Sequence, residues 1–199
     1  MDEIDEMATK IGAVNTVVRE GKGWKGYNTD CMGALKAIEK HVDLKNKNVL
    51  IIGAGGTAKA IGQGVYEKGA KITVTYNRDK EKGIQLGREL EAKVVSIQEI
   101  GNEEIDVLIN CSPVGMSPNL EETPVPSRCL RKGMIVFDSV YNPIETRLIR
   151  EARVSGCVTI SGVELFVNQA VGQFELWTGQ KAPTDIMRDV VVRGLEGKV

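Results

Sequence analysis

Aromatic residues are scarce in this chain of 199 residues, at 5%, and it holds a single histidine, His41. His41 stands among Lys40, Asp43 and Lys45, a charged helix-end setting that argues against a catalytic base. No surplus of charge exists either: 26 basic side chains face 27 acidic ones, for a net charge of −1. A nucleic-acid binder carries a basic excess or stripe, so that class of partner is set aside. Four cysteines, Cys31, Cys111, Cys129 and Cys157, form no CxxC pair. That leaves no metal-ligand spacing and no disulfide framework, and free thiols suit a reducing cytoplasm. The longest apolar runs, such as Val49 to Ile52, are far too short to span a bilayer. The opening MDEIDEM lacks the apolar centre of a signal peptide. A cytoplasmic globular protein that handles a small molecule is the expectation, with no metal, membrane or nucleic acid.

Residues 13–28 read as a hairpin, two β-prone stretches around the turn-forming EGKG. Asp30 to Lys40 then reads as a helix, with Asp30 placed to cap or open it. From Asn48 onward the pattern changes. VLII is a continuous apolar run of the kind buried on both faces of a sheet. Helical spacing follows, and strand and helix candidates alternate to about residue 162. PIETRLIREARVSG is one of the helices, with Pro143 near its start and Gly156 just past its end. Such alternation predicts right-handed βαβ crossovers and a parallel sheet covered on both faces. The expected fold is α/β, a Rossmann-like doubly wound parallel sheet. It carries a remnant hairpin of a second α/β domain (1–30), a cofactor domain (31–162) and C-terminal helices (163–199).

The strand VLII runs directly into Gly53-Ala54-Gly55-Gly56-Thr57-Ala58, a G-x-G-x-x-A turn that opens a helix. The first glycine permits the tight turn, the second lets a pyrophosphate approach the backbone, and a small third position lets helix and strand pack. The helix N-terminus offers unpaired N–H groups to the anion. NAD binders place an acid at the tip of the second strand, about 20 residues on, to hold the ribose 2′-hydroxyl. Here the strand ends Tyr76-Asn77-Arg78, and Lys82 follows four residues later. A guanidinium fork and a lysine suit a 2′-phosphate, so NADP is the expected cofactor. Asp79 stands beside that clamp as an opposing charge.

These residues carry a resemblance. In order along the chain stand GAVNT (Gly12 to Thr16), GYNTD (Gly26 to Asp30), GAGG (Gly53 to Gly56) and Asn77-Arg78. NCSPVGM (Asn110 to Met116), DSVYNPIET (Asp138 to Thr146) and GVELFVNQ (Gly162 to Gln169) follow. Together they resemble the shikimate dehydrogenase family, whose quinate dehydrogenases share most of the motifs. The resemblance implies that Asn15 and Asp30 bond substrate hydroxyls, with Asp30 the acid of a catalytic Lys–Asp pair, and that Tyr141 and Gln169 also touch substrate. Gly53, Ala54, Gly55, Gly56 and Thr57 would hold the pyrophosphate, and Asn77, Arg78 and Lys82 the adenosine end. Ser139 and Gly162 would line the nicotinamide pocket. Read without the resemblance, Asn15 serves equally as a hairpin cap, Asp30 as a helix cap, Tyr141 as a core-edge residue and Gln169 as a surface helix residue.

The implied reaction is reversible reduction of 3-dehydroshikimate by NADPH. The family's Ser-x-Ser carboxylate site and its N-V-T-x-P-x-K segment with the catalytic lysine do not occur here. A truncated, nearly inactive chain is therefore expected, and a non-catalytic NADP-binding module or a quinate/shikimate dehydrogenase stays open. Cys31, Asp79, Glu164 and Phe166 also depart from the family pattern, and substrate choice and cofactor affinity are expected to feel it. The hairpin's unpaired edges predict either disorder before about residue 30 or self-association, so a homodimer is open as well.

Overall fold

The computed structural model describes residues 1–76, 79–100 and 104–197. Nine strands and seven α-helices run along them. A small sheet comes first: β1 (Glu3–Ile4), β2 (Thr16–Glu20) and β3 (Gly23–Tyr27), in the order β1-β3-β2. The hairpin expected from the sequence is β2 and β3, antiparallel with Thr16 opposite Tyr27 and the turn at Gly21-Lys22. Two elements ahead of it were not foreseen. β1 adds in parallel to β3, pairing Glu3 with Lys25. α1 (Glu6–Ile11) follows, opened by the Asp5 carboxylate, which accepts from Met7 N at 3.0 Å, and closed by Gly12 at φ 69°. Ile11 packs with Ala60 and Cys31. One edge of the hairpin is thus paired and its base anchored, where the sequence alone suggested a loose remnant.

α2 (Thr29–Ile38) leads into the main body. There β4 (Asn48–Ile52), β5 (Lys71–Tyr76), β6 (Lys93–Ser96), β7 (Val107–Asn110), β8 (Ile135–Asp138) and β9 (Val158–Ile160) form one sheet in the order β6-β5-β4-β7-β8-β9. Every pairing in it is parallel, as the alternation predicts. Between the strands run α3 (Gly56–Glu67), α4 (Lys80–Glu89) and α5 (Arg147–Val154); α6 (Gly162–Thr178) and α7 (Thr184–Leu195) close the chain. Alternate residues of β4 feed opposite cores: Val49 and Ile51 pack with Ile61, Val65 and Phe137, whereas Leu50 and Ile52 pack with Leu108, Val136 and Leu148. That period of two is why an unbroken apolar run satisfies both faces at once.

The helix bounds show one correction. Pro143 does not start α5; Thr146 does, its hydroxyl accepting from Ile149 N at 3.3 Å, with Gly156 past the end at φ 77° as expected. Among the described residues no helix is long and apolar enough to cross a membrane.

The chain builds outward from β4 to β6, then returns to the other side of β4 as β7. Ligands in such sheets bind at the carboxyl ends of the strands at this reversal. Here Gly53, at φ 107°, lies against the loop after β7: a Cβ on it would come within 3.2 Å of the Cys111 carbonyl. The glycine is needed for both reasons, its backbone conformation and the closeness of the neighbouring loop.

Candidate active site

Above the carboxyl ends of the strands lies a cleft of about 370 Å³. The residues expected to bind substrate or nicotinamide meet there, Asn15, Asp30, Ser139, Tyr141, Gly162 and Gln169, and with them Thr57 of the expected pyrophosphate turn. They come from the loop before β2, the first turns of α2 and α3, the loop after β8, and α6.

Asp30 is not the cap of its helix. Asn28 takes that role, its side chain accepting from Cys31 N at 3.2 Å. The Asp30 carboxylate is thereby free to face the cleft. Burial raises it above the ordinary carboxylate range, against a hydrogen bond from Asn15 that favours the charge. Asn15 is held in one orientation. Its Oδ1 accepts from Thr29 N at 2.9 Å, from the Thr16 hydroxyl at 2.9 Å and from the Thr29 hydroxyl at 3.2 Å. With the oxygen so occupied, the amide N–H groups are left for Asp30 and for a ligand.

On the opposite wall, Tyr141 and Phe166 stack with ring centroids 4.9 Å apart at 34°. Leu165, Phe166 and Gln173 also line the cleft, and the sequence reading did not assign them there. Gln173 donates to the Thr16 hydroxyl at 3.2 Å and so joins the network around Asn15. One signal could have found the three: with Gly162 and Gln169 they stand at helical spacing on one face of α6.

Gly162 begins α6 and lies in the crook of the loop after β8, where a Cβ would collide with the Val140 and Ser139 carbonyls. That loop is fixed from below by Asp138, which is fully buried. It accepts from Asn110 Nδ2 at 2.9 Å, from Val140 N at 3.1 Å and from the Thr146 hydroxyl at 2.6 Å. Burial pushes its carboxyl up to about 6 against those bonds.

The glycine turn has room for an anion. Gly55 and Gly56 are exposed at the start of α3, no side chain caps that helix, and a Cβ on either would meet nothing within 4 Å. Lys82 lies beside it in the neighbouring groove, its Nζ 3.2 Å from Asp79. Asp79 caps α4, accepting from Lys82 N at 3.0 Å, which holds its carboxyl below the usual range. Asn77 and Arg78 lie outside the described residues.

The departures from the family pattern sort by place. Cys31 points away from the cleft into the contact with Ile11 and Ala60, and burial pushes its thiol up to about 11. Glu164 is bound by Arg188 of α7 and lies 3.9 Å from Lys40. Of the four, Phe166 alone is among the residues lining the cleft.

Residues 35–151 match the family model described as shikimate / quinate 5-dehydrogenase, and residues 162–192 match the shikimate 5′-dehydrogenase C-terminal domain. The bifunctional 3-dehydroquinate dehydratase/shikimate dehydrogenase of Arabidopsis thaliana is 43% identical over 93% of this chain, which spans 34% of that protein. The NADP(+) shikimate dehydrogenase of Methanosarcina mazei is 43% identical over 96% of this chain, which spans 72% of it. Among solved structures, a shikimate dehydrogenase in complex with NADP+ superposes with a TM-score of 0.91 at 34% identity, covering 98% of this chain and 71% of that one. With the motifs, the parallel sheet and the cleft all agreeing, this chain belongs to the shikimate dehydrogenase family.

Proposed function

We propose that this chain forms the NADP-binding part and one substrate-facing wall of an enzyme that interconverts 3-dehydroshikimate and shikimate. The observation that carries this reading is the meeting of seven residues from five separate segments in one cleft beside the glycine turn. Relatives named as NADP(+)-dependent shikimate dehydrogenases support the substrate and the cofactor.

The residues present fit the dinucleotide. The open space at Gly55 and Gly56 and the uncapped start of α3 suit a pyrophosphate, and Ser139 with Gly162 would take the nicotinamide end. Arg78, Asn77 and Lys82 would hold the 2′-phosphate and adenosine. When bound, the dinucleotide exchanges a hydride with the ring carbonyl carbon. Asn15, Tyr141 and Gln169 would hold the ring hydroxyls, which fixes which face of the ring is turned to that hydride. Asp30 is the one carboxyl group among the residues lining the cleft. Burial raises it above the ordinary carboxylate range, and the family resemblance gives it the acid's place in a Lys–Asp pair that moves the proton. In this division residues 1–30 carry the substrate-side wall, 31–162 the cofactor and 163–199 the helices that close the cleft. The four unpaired thiols support a reducing, cytoplasmic setting.

Titrating NADPH and NADH into the purified chain, then adding shikimate or quinate with NADP⁺ and following nicotinamide absorbance, tests the proposal. Tighter binding of NADPH is expected, with little or no turnover of shikimate, since the N-V-T-x-P-x-K segment and the Ser-x-Ser site do not occur in this sequence. Ready turnover of shikimate would overturn the expectation of near-inactivity and show that the residues of this cleft transfer the proton without that lysine segment. Failure to bind either dinucleotide would remove the cofactor assignment.

A further inference from the structure

A groove of about 310 Å³ runs between α3 and α4, with Gly55 and Gly56 at one end and Lys59, Lys82, Gln85 and Glu89 along it. Lys59 lies one turn into α3 and reaches across to Glu89 of α4, Nζ to Oε2 3.0 Å, with each side chain about one-third exposed, at 35% and 33%. Gln85 donates to the other oxygen of Glu89 at 3.0 Å. Burial pushes the Glu89 carboxyl up, and the bonds from Lys59 and Gln85 more than offset it, leaving it below the ordinary range. Both lysines of the groove are therefore partnered by a carboxylate, Lys59 by Glu89 and Lys82 by Asp79.

Two ammonium groups beside an open glycine turn suit a phosphate monoester. Such a group carries about −1.5 to −2 charges at neutral pH and three acceptor oxygens, more than one carboxylate offers a lysine. A bare ribose hydroxyl gives Lys59 no reason to leave Glu89. The same Glu89 charge, once uncovered, weakens phosphate binding by repulsion.

We propose that Lys59 is a further cofactor-selecting residue: it leaves Glu89 for the 2′-phosphate of NADP, and the strength of the Lys59–Glu89 pair sets the preference over NAD. The inference rests on the NADP reading above and adds two residues to it. Glu89 opposes the phosphate, and Gln85 steadies Glu89 while Lys59 is away.

Adenosine 2′,5′-bisphosphate and adenosine 5′-monophosphate, titrated by calorimetry into the whole chain and its variants, separate the possibilities. Lys59→Ala is expected to weaken the bisphosphate about tenfold, the scale of one charge-assisted contact, and to leave the monophosphate unchanged. Glu89→Gln is expected to strengthen the bisphosphate alone. Equal losses for both nucleotides in Lys59→Ala, or no loss, would overturn the inference, as would weaker bisphosphate binding in Glu89→Gln. An unmodified chain that does not prefer the bisphosphate would instead overturn the NADP reading itself.

Discussion

Gly33 of α2 lies so close to Gln169 of α6 that a Cβ on the glycine would stand 2.8 Å from the Gln169 backbone nitrogen. The Leu165 carbonyl would be 3.2 Å away, and Asn168 Nδ2 already donates to the Gly33 carbonyl at 3.2 Å. Backbone, not flexible side chain, occupies the space. Asp30 sits one turn before Gly33, so this contact sets the separation of Asp30 from Gln169. Gly33→Ala is expected to force the helices apart. Its cost of about 1–3 kcal/mol outweighs the better helix propensity of alanine, about 1 kcal/mol. Urea unfolding would show the loss, and shikimate affinity should fall with it; a stabilised variant would refute the close-packing account.

The Asn15 side chain carries a second prediction. Its oxygen accepts from three donors, two of them on Thr29, which is wholly buried. Asn15→Ala strands those donors at a cost of about 1–3 kcal/mol. It also removes the bond that favours the Asp30 charge, so the Asp30 carboxyl should rise further. A carbon NMR titration of that carboxyl measures the direction, and a downward move would contradict the assigned contact.

Asp138 makes stability depend on pH. Its carboxyl is raised in the fold to about 6, from the ordinary value of 3.8 that the unfolded chain shows. Between those two values the folded chain holds more protons, so this group's contribution is fully present below about pH 4 and is lost as pH rises through about 6. Asp138→Asn should remove up to about one proton from the slope of stability against pH in that window. Denaturation midpoints collected across the window for both proteins decide it; parallel curves would mean that Asp138 does not titrate there.

Thr75 offers a contrasting case. It is wholly buried in β5, and its hydroxyl is the one buried side-chain polar atom without a partner among the described residues. Thr75→Val is expected to stabilise the protein by about 1 kcal/mol, since an unpaired buried hydroxyl costs on that scale. The Thr75 carbonyl, which accepts from Gly53 N at 2.9 Å, is untouched by the change. NADPH affinity should therefore stay the same while the thermal midpoint rises.

The parallel sheet was legible because its strands are buried on both faces. VLII leads straight into the glycine turn, and VLIN is apolar but for Asn110 at its end, so neither run leaves a polar face for solvent. β1 and α1 were missed for the opposite reason. A strand of two residues and a helix of six are too short to show a period, and β1 exists through its pairing with β3, some twenty residues on. The Asp5 and Gly12 caps were the only local trace. The site was read residue by residue from the family motifs, and the structure brings its substrate-side members together. Which Asx residue caps α2 was not legible, since Asn28 and Asp30 are both residue types that cap helices. The extended backbone of Asn28, φ −120° and ψ 105°, settles the role in its favour. Gln173 escaped notice because its partner, Thr16, stands 157 residues away.

That distance has a bearing on how the protein is made. The hairpin precedes the main sheet along the chain and emerges from the ribosome before it, yet bonds that clasp it come from α6, Gln173 to the Thr16 hydroxyl and Trp177 to the Val17 carbonyl, the latter across 160 residues. Contacts so far apart in sequence form late, because the intervening chain must be ordered before they can close. The sheet can assemble while synthesis continues, but the wall that carries Asn15 has to wait for α6. A nascent chain stalled before α6 would hold a finished nucleotide turn and an unfinished cleft.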